Sequence, residues 1–290
     1  MKKASPNLIA KLQLIGSMTI FGTVGIFVRS IPLPSAFIAF IRGAVGVLFL
    51  LAVCLLTRKK LSKESIKRNL ILLLISGAAI GINWIFLFEA YRYTTVATAT
   101  LCYYTAPLFV LAVSPIFLSE RLTVRKCIGI ATALVGMVFV SGIHKTGFSG
   151  LSEAKGVMFG ILAAIFYASV IIMNKKLRDV GSYDRTIVQL TAAVAVVLPY
   201  SLIVEDISVA AFDARVIILL AIVGIVHTGI SYVAYFSSLG VLKAQTVAIF
   251  SYIDPIVAIV LSAVLLREGM DLLGIIGAVL VLSSVSIAGE

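Results

Sequence analysis

The stretch from Trp84 to Arg121, WIFLFEAYRYTTVATATLCYYTAPLFVLAVSPIFLSER, decides the fold because the chain contains it in two copies. A shift of 148 positions without a gap brings Pro107 onto Pro255. The other coinciding pairs are Phe88 and Phe236, Thr98 and Thr246, Tyr104 and Tyr252, Ser114 and Ser262, Glu120 and Glu268, and Gly129 and Gly277. Such conserved spacing indicates an internal duplication, and we place the two repeats at 1–148 and 149–290.

The composition predicts an integral membrane protein with helical spans. Hydrophobic residues make up 61% of the 290 residues and charged residues 13%, with a mean hydropathy of +1.13. A soluble domain has about a quarter charged residues, and the apolar runs are too long for the strands of a membrane barrel. Cys54, Cys102 and Cys127 lie in or beside these runs, and we expect small buried hydrophobes without a disulfide, metal site or cofactor.

Ten apolar segments are long enough to cross a bilayer core of about 30 Å as helices. The predicted spans are 10–28, 35–56, 70–90, 95–118, 124–143, 155–174, 186–204, 215–239, 244–266 and 270–288. The fourth and ninth spans contain Pro107 and Pro255 and are expected to be the least regular. The loop 144–153, which contains Gly and Ser, is the expected joint between the repeats.

The positive charges predict an orientation. With the N-terminus inside, seventeen of the 24 Lys and Arg residues fall in inner loops and six in outer loops, while Arg42 lies within a span. This asymmetry predicts cytoplasmic termini in a cytoplasmic (inner) membrane. The net charge of +11 then faces the cytoplasm and lipid headgroups, not nucleic acid. Five spans per repeat predict an all-α protein of ten transmembrane helices in two inverted five-helix repeats, as in many secondary transporters.

Motifs along the chain resemble the drug/metabolite transporter superfamily, in its ten-span form with two EamA-like repeats. The motifs are Ile20-Phe21-Gly22-Thr23, Phe40-Ile41-Arg42-Gly43, Tyr93-Thr94-Thr95-Val96-Ala97-Thr98-Ala99, Ala106-Pro107-Leu108, Leu118-Ser119-Glu120-Arg121, Asp254-Pro255-Ile256 and Leu266-Arg267-Glu268. The resemblance implies a carrier that works by alternating access. It also implies that spans one to four and six to nine surround a midplane cavity, with spans five and ten as scaffold. It does not select a substrate, because members move amino acids, drugs, choline and other metabolites.

Ionisable side chains within spans are costly and are therefore functional candidates. Asp254 is either a carboxylate for a coupling ion or a substrate amine, or the N-cap of a helix restarting at Pro255. His227 either shares a proton with Asp254 or is a satisfied core residue. Arg42 either binds a substrate carboxylate or makes a structural bond between helices.

Two kinds of acidic residue stand at the ends of spans. Glu89 precedes Arg92 by three positions on one helical face, which predicts a rim salt bridge or gate, with substrate contact as the alternative. Glu120 and Glu268 close equivalent spans beside arginines, and we expect both to make capping or loop bonds.

Aromatic residues are the other material for a pocket. Those inside spans are Trp84, Tyr103, Tyr104, Tyr167, Tyr232, Tyr235 and Tyr252. Interfacial anchoring explains the ones near the span ends. Tyr104 and Tyr252 lie deeper, each three residues before a proline, and we interpret them as cavity-lining. The two prolines are either hinges or packing kinks.

The sequence therefore predicts a secondary transporter, not an enzyme. The expected cargo is a small zwitterionic or cationic solute such as an amino acid or related metabolite, with drugs as further candidates, and the expected direction is export from the cell. The alternatives are uptake of choline-like cations, a channel, and an intramembrane enzyme built on His227 and Ser231. A proton or another cation is the expected coupling ion. No phosphate-cradling Gly-Lys-Ser/Thr loop is present, so direct ATP drive would need another subunit.

Overall fold

A computed structural model describes residues 5–94, 96–141, 150–205, 213–265 and 272–288. Regular structure within these ranges is helical. The helices are α1 Pro6–Arg29, α2 Ser35–Leu56, α3 Lys63–Tyr93, α4 Val96–Tyr103, α5 Ala106–Leu118, α6 Val124–Ser141, α7 Gly150–Lys176, α8 Ser182–Val204, α9 Ala214–Ile222, a π-helical segment Val223–Ile230, α10 Ser231–Val241, α11 Ala244–Phe250, α12 Ile253–Leu265 and α13 Leu272–Ala288. Glu268 and most of the loop 144–153 lie outside the described residues.

The expected fold class is confirmed. By length and apolar composition, seven helices of the described ranges are able to cross a membrane. Five of these are single helices, namely α1, α2, α3, α7 and α8. The segment Thr98–Leu118 crosses as α4 and α5, and Ala214–Val241 as α9, the π-helical segment and α10. Together with α6, the pair α11 and α12, and α13, these helices correspond to the ten predicted spans. The fourth and ninth spans are the broken ones, as expected from their prolines.

Small residues let the helices of the two repeats approach closely. A Cβ atom added to Gly77 of α3 would lie 2.5 Å from the carbonyl oxygen of Gln189 in α8, and one added to Gly81 would lie 2.8 Å from that of Ala193. A Cβ atom added to Gly136 of α6 would likewise lie 2.6 Å from the carbonyl oxygen of Gly277 in α13. Van der Waals contact at small residues is a main source of helix association in lipid. The helices α6 and α13 pack against each other, as the scaffold expectation requires.

One end of the bundle gathers most of the basic residues, and we call it the basic end. Contacts join the loops there: Ser65 Oγ donates to the Asp179 carbonyl oxygen at 2.7 Å, and Asn69 Nδ2 to that of Arg178 at 3.0 Å. Lys126 Nζ donates to Gln245 Oε1 at 2.9 Å. The loops after α2, α5, α7 and α10 therefore meet on one side, which is the alternation that the charge pattern predicts.

Carboxylates cap helix starts across the two repeats. At the basic end, the Glu120 carboxylate accepts hydrogen bonds from the backbone N–H groups of Ala244 and Gln245 at 2.7 and 3.1 Å. The expected capping role of Glu120 is thus confirmed. At the opposite end, the Glu205 carboxylate accepts from Ala36 and Phe37 N–H at 2.9 and 2.8 Å. Each cap satisfies donors that a helix start leaves unpaired.

The cysteines depart from expectation in one respect. All three are free thiols; Cys54 is buried and Cys102 is partly buried. Cys127 is exposed on α6, so the expectation of burial is wrong for this residue. The reason is that a surface facing lipid tolerates a small hydrophobe as readily as the interior does.

Candidate functional site

Two broken helices meet near the centre of the bundle. The fourth span is interrupted between Tyr103 and Ala106, and the ninth between Phe250 and Ile253. Pro107 has no N–H to donate, and the next N–H, that of Leu108, bonds the Thr105 carbonyl oxygen. The carbonyl of Tyr104 is left for another donor. The Tyr252 hydroxyl takes it at 3.0 Å, which links the two breaks directly.

Asp254 lies in the first turn of α12, beside this link. Its side chain hydrogen-bonds with that of Tyr104 and interacts electrostatically with Tyr91, Tyr103 and Tyr167. Because α12 begins at Ile253, Asp254 lies in the first turn of the helix, directly before Pro255. A negative charge in the first turn is still favoured by the helix dipole.

The backbone of α1 closes one side of this position. A Cβ added to Gly22 would lie 2.5 Å from the Asp254 carbonyl oxygen and 2.6 Å from Val257 Cβ. A larger residue at 22 would therefore push α1 away from the start of α12. Gly22 belongs to the first motif of the sequence, and its role is this close approach.

Arg42 is stacked on Trp84. Its Cζ lies 4.3 Å from the centroid of the indole ring, within cation–π range. Among the described residues, no carboxylate comes within salt-bridge distance of this guanidinium. The indole in turn hydrogen-bonds with the Tyr232 side chain, and because indole N–H only donates, the hydroxyl accepts. Trp84 is thus held between a cation on its face and a hydroxyl at its edge.

The charged and phenolic side chains form one group, which we call the central cluster. Its members are Arg42, Tyr91, Tyr103, Tyr167, Tyr232 and Asp254. All six are half-buried. Ionisable and phenolic side chains that interact with one another across several spans mark a functional site in a membrane protein, so the central cluster is the candidate site.

Two tyrosines lie between the opposite charges of the cluster. Tyr103 and Tyr232 both interact electrostatically with Arg42 and with Asp254. Tyr103 also packs on Tyr167 with ring centroids 5.6 Å apart, and Tyr167 hydrogen-bonds with Ser251 and Tyr235. The central cluster therefore combines an anionic group, a cationic group and aromatic faces with hydroxyl groups.

His227 lies away from Asp254. Its Nε2 is 2.8 Å from Thr23 Oγ1, its Nδ1 is 3.5 Å from the Ile222 carbonyl oxygen, and its ring packs 4.9 Å from that of Phe27. The expected proton-sharing contact with Asp254 is therefore not formed in this conformation. Ser231 Oγ donates to the Val226 carbonyl oxygen, so the residues considered for an intramembrane enzyme are not paired either.

The π-helical segment explains where His227 points. Side-chain bonds within it span five residues, from Thr228 to the Val223 carbonyl and from Ser231 to that of Val226. These hydroxyls satisfy carbonyls that the wider turns leave without a regular α-helical partner. The sequence shows no signal for this segment beyond a small-residue-rich stretch around Gly224 and Gly229.

Tyr104 and Tyr252 take different positions. Tyr104 faces Asp254, as a cavity-lining residue would. Tyr252 is 0% exposed and packs with Ala133, Met137 and Val281, so it lines no solvent-sized space in this conformation. In this conformation Tyr252 does not line a cavity, contrary to what the sequence suggests, because its hydroxyl is hydrogen-bonded to the Tyr104 carbonyl oxygen.

Glu89 lies at the end of the bundle opposite the basic end. Its Oε1 accepts from Arg92 Nη1 at 2.9 Å, which confirms the predicted salt bridge. The same oxygen accepts from the Tyr200 hydroxyl of α8, a partner that the sequence did not reveal. Glu89 is therefore fixed between α3 and α8 at the rim.

Ten spans in two inverted repeats, with broken fourth and ninth helices beside a cluster of opposite charges, are the architecture of a membrane transporter. The chain matches the EamA-like transporter family twice, over residues 8–142 and 154–289. It belongs to that family.

Two proteins similar to this chain come from bacteria. The "Uncharacterized transporter YxxF" of Bacillus subtilis is 30% identical over 280 residues, covering 96% of this chain and 88% of the relative. The "Probable amino-acid metabolite efflux pump" of Salmonella typhimurium is 29% identical over 234 residues, covering 76% and 77%. A crystal structure at 18% identity superposes with a TM-score of 0.85 over 97% of this chain and 96% of that one, which shows the shared fold.

Proposed function

We propose that the protein is a secondary carrier that exports a small zwitterionic solute, such as an amino acid or related metabolite, by alternating access. The observation that carries the proposal is the central cluster, in which Asp254 and Arg42 share the neighbours Tyr103 and Tyr232. An ammonium group beside Asp254 and a carboxylate beside Arg42 would each meet a charge of opposite sign. The aromatic faces between them suit a partly apolar side chain.

The size of the charge set supports this class of solute. Arg42 is the one basic member of the central cluster, and a phosphorylated sugar would call for more positive charge at its site. The similarity to a protein named as an amino-acid metabolite efflux pump points the same way and favours export.

In this proposal the basic end faces the cytoplasm. The asymmetry of Lys and Arg supports this orientation, with both termini inside the cytoplasmic membrane. The proposed coupling ion is the proton, carried by Asp254, because an enclosed carboxylate that alternately meets each side of the membrane is suited to that task. His227 is too engaged with Thr23 to be the proton's direct partner in this conformation.

Uptake of a choline-like cation is the second candidate function. Its support is the ring of phenols around Asp254, since aromatic faces recognise quaternary ammonium groups. Against it, the Arg42 guanidinium already occupies a face of Trp84. A cationic ligand would then bind beside a fixed positive charge, whereas a zwitterion would use that charge.

The deciding experiment measures transport and binding together. Purified protein is screened by thermal shift against amino acids, amines, aromatic drugs and choline, and hits are followed as radiolabelled flux in proteoliposomes. A ligand at a hundred times its Kd stabilises the folded state by about 2.7 kcal/mol. We expect a zwitterionic hit whose stabilisation and flux are lost in Asp254→Asn and kept in Glu64→Gln, a change at an exposed carboxylate. Flux and pH dependence that survive Asp254→Asn would refute the coupling role, and stabilisation by choline alone would favour the second candidate.

A further inference from the structure

A cavity lies at the basic end, apart from the central cluster. It has a volume of about 370 Å³, is open on one side and is bordered by the end of α7, the start of α8 and the end of α10. Lys175 and Arg185 line it, together with Gly181, Gly240 and the rim residue Asp179. The sequence placed both basic residues in an inner loop, where they would be solvated.

Arg185 is buried with part of its hydrogen-bonding capacity unused. The residue is only 5% exposed, and its Nη1 donates to the Phe236 carbonyl oxygen at 3.2 Å. Its Nη2 reaches the Val180 carbonyl oxygen at 3.5 Å, the limit of a hydrogen bond. Its Nε has no partner among the described residues. An unsatisfied buried N–H on a charged group is costly, so this edge of the guanidinium calls for an acceptor.

Lys175 adds a second positive charge without an adjacent counter-ion. Its Nζ donates to the carbonyl oxygens of Leu239 and Leu242 at 3.1 and 2.6 Å. The third N–H group of the ammonium therefore remains available to another acceptor. Both acceptors are neutral. In the described part of the chain, neither Lys175 nor Arg185 has a carboxylate within salt-bridge distance.

The nearby acidic residues are engaged elsewhere. The Asp179 side chain is 87% exposed and lies 3.7 Å from Arg68. Asp184 accepts from the Ser62 N–H at 3.4 Å. Glu120 interacts with Lys175 at longer range, but its carboxylate caps α11. The cavity therefore keeps an excess of positive charge.

We infer that this cavity binds the carboxylate or phosphate group of a small anion. Arg185 lines the cavity, and the N–H groups at Nε and Nη2 of a guanidinium point in parallel, which matches two oxygens of such a group. The Nε atom is fully buried and Nη2 holds only the 3.5 Å contact to Val180, so an anion would replace that contact and bond Nη2 together with the remaining N–H of Lys175. The source of the group is either a free anion or the headgroup of an anionic lipid, since the cavity lies at the membrane's edge.

The first test compares anions in neutral detergent. Melting temperature is measured in sodium phosphate and sodium acetate against sodium chloride of equal ionic strength, and then in nanodiscs with and without phosphatidylglycerol. A saturable rise with phosphate or acetate assigns a free anion, and a rise only with the lipid assigns a headgroup. No saturable effect of any of these would overturn the inference.

Variants locate the effect. Arg185→Gln is expected to weaken anion binding at least tenfold, and Arg185→Lys, which keeps the charge without the fork, to weaken it less. Lys60→Gln, at an exposed position of the same end, is the control. An equal loss in Lys60→Gln would mean a diffuse surface effect and would overturn the inference.

A second pair of variants does not remove the buried arginine. Gly240 lines the cavity, and a Cβ added there meets nothing within 4 Å. Gly240→Glu supplies a carboxylate to the cavity, and Gly240→Gln is its neutral match. A negative charge in the last turn of a helix is normally unfavourable, so a higher melting temperature for Gly240→Glu, with loss of the anion response, would support the site. A lower melting temperature for Gly240→Glu, with both variants still responding, would overturn it.

Discussion

The Tyr252 hydroxyl donates a hydrogen bond to the Tyr104 carbonyl oxygen, although the two residues hold the same place in the two repeats. The reciprocal bond is not made. The Tyr104 side chain bonds Asp254 instead, and the shift of 148 positions places Asp254 on Ala106. The Asp254 carboxylate therefore makes the two related breaks unequal. The second repeat supplies the charge, and the first repeat supplies the Tyr104 hydroxyl that bonds it.

Removing the Tyr252 hydroxyl should destabilise the link between the broken helices. In Tyr252→Phe the Tyr104 carbonyl is left buried without a donor, at a cost of about 1–3 kcal/mol. We expect a lower melting temperature in detergent. Tyr183→Phe is the control, because that ring packs under Lys59 and its hydroxyl bonds no described residue. Equal melting temperatures for the two variants would contradict the importance of this bond.

Gly22→Ala should disturb the site through the backbone. The added methyl group would meet the Asp254 carbonyl oxygen and Val257, so α1 must move away from α12. We expect reduced stability and reduced flux. Gly25→Ala lies one turn further along the same helix, where a Cβ meets nothing within 4 Å, and should be neutral or stabilising by up to about 1 kcal/mol. Similar losses in both variants would argue against a specific close approach.

Glu120→Gln should weaken the start of α11. The substitution keeps the shape of the side chain but removes the charge from two hydrogen bonds to backbone N–H groups. Charge-assisted bonds are about twice as strong as neutral ones, so a loss of about 1–2 kcal/mol is expected. Thermal unfolding measures it, with Glu64→Gln as the exposed control. An unchanged melting temperature would mean that the cap is replaceable by water.

Arg42 variants separate the two proposed kinds of cargo. For a zwitterion, loss of a charged hydrogen bond worth about 1.5–3 kcal/mol lowers affinity by roughly tenfold to a hundredfold in Arg42→Gln. Arg42→Lys keeps the charge but not the planar stacking on Trp84, so its affinity for the zwitterion should lie between those of the unmodified protein and Arg42→Gln. Binding is measured by calorimetry, with Arg68→Gln as an exposed control. Tighter cation binding in Arg42→Gln would instead favour a choline-like substrate.

The repeat, the span lengths and the broken fourth and ninth helices were predictable because they depend on apolar length and on proline. Asp254 and Arg42 were predictable for a related reason, since a charge within an apolar run stands out. The rotation of each helix about its own axis was not predictable from the sequence. Tyr91 looked like a residue at the end of its span, and only packing shows that it faces Asp254.

The basic end shows the same limit. The sequence predicts that Lys175 and Arg185 are loop charges, because polar residues lie beside them. In the structure, the end of α10 packs against both side chains. Likewise, His227 and Asp254 lie at similar depth in neighbouring spans, but depth alone does not bring side chains together. Their directions are set by helix geometry that has no sequence signature.

The π-helical segment Val223–Ile230 holds more residues over its length than an α-helix would. Such a segment is what a one-residue insertion into a helix leaves behind when the ends of the helix stay in place. Deleting a residue such as Ile225 would restore regular turns and rotate α10 relative to α9 by about 100°. Tyr232, which interacts with both Arg42 and Asp254, would then turn away from them while every charged residue of the central cluster remained. The position of this tyrosine thus depends on an inserted residue that touches no substrate, and relatives with or without it would differ in specificity while keeping the same charges.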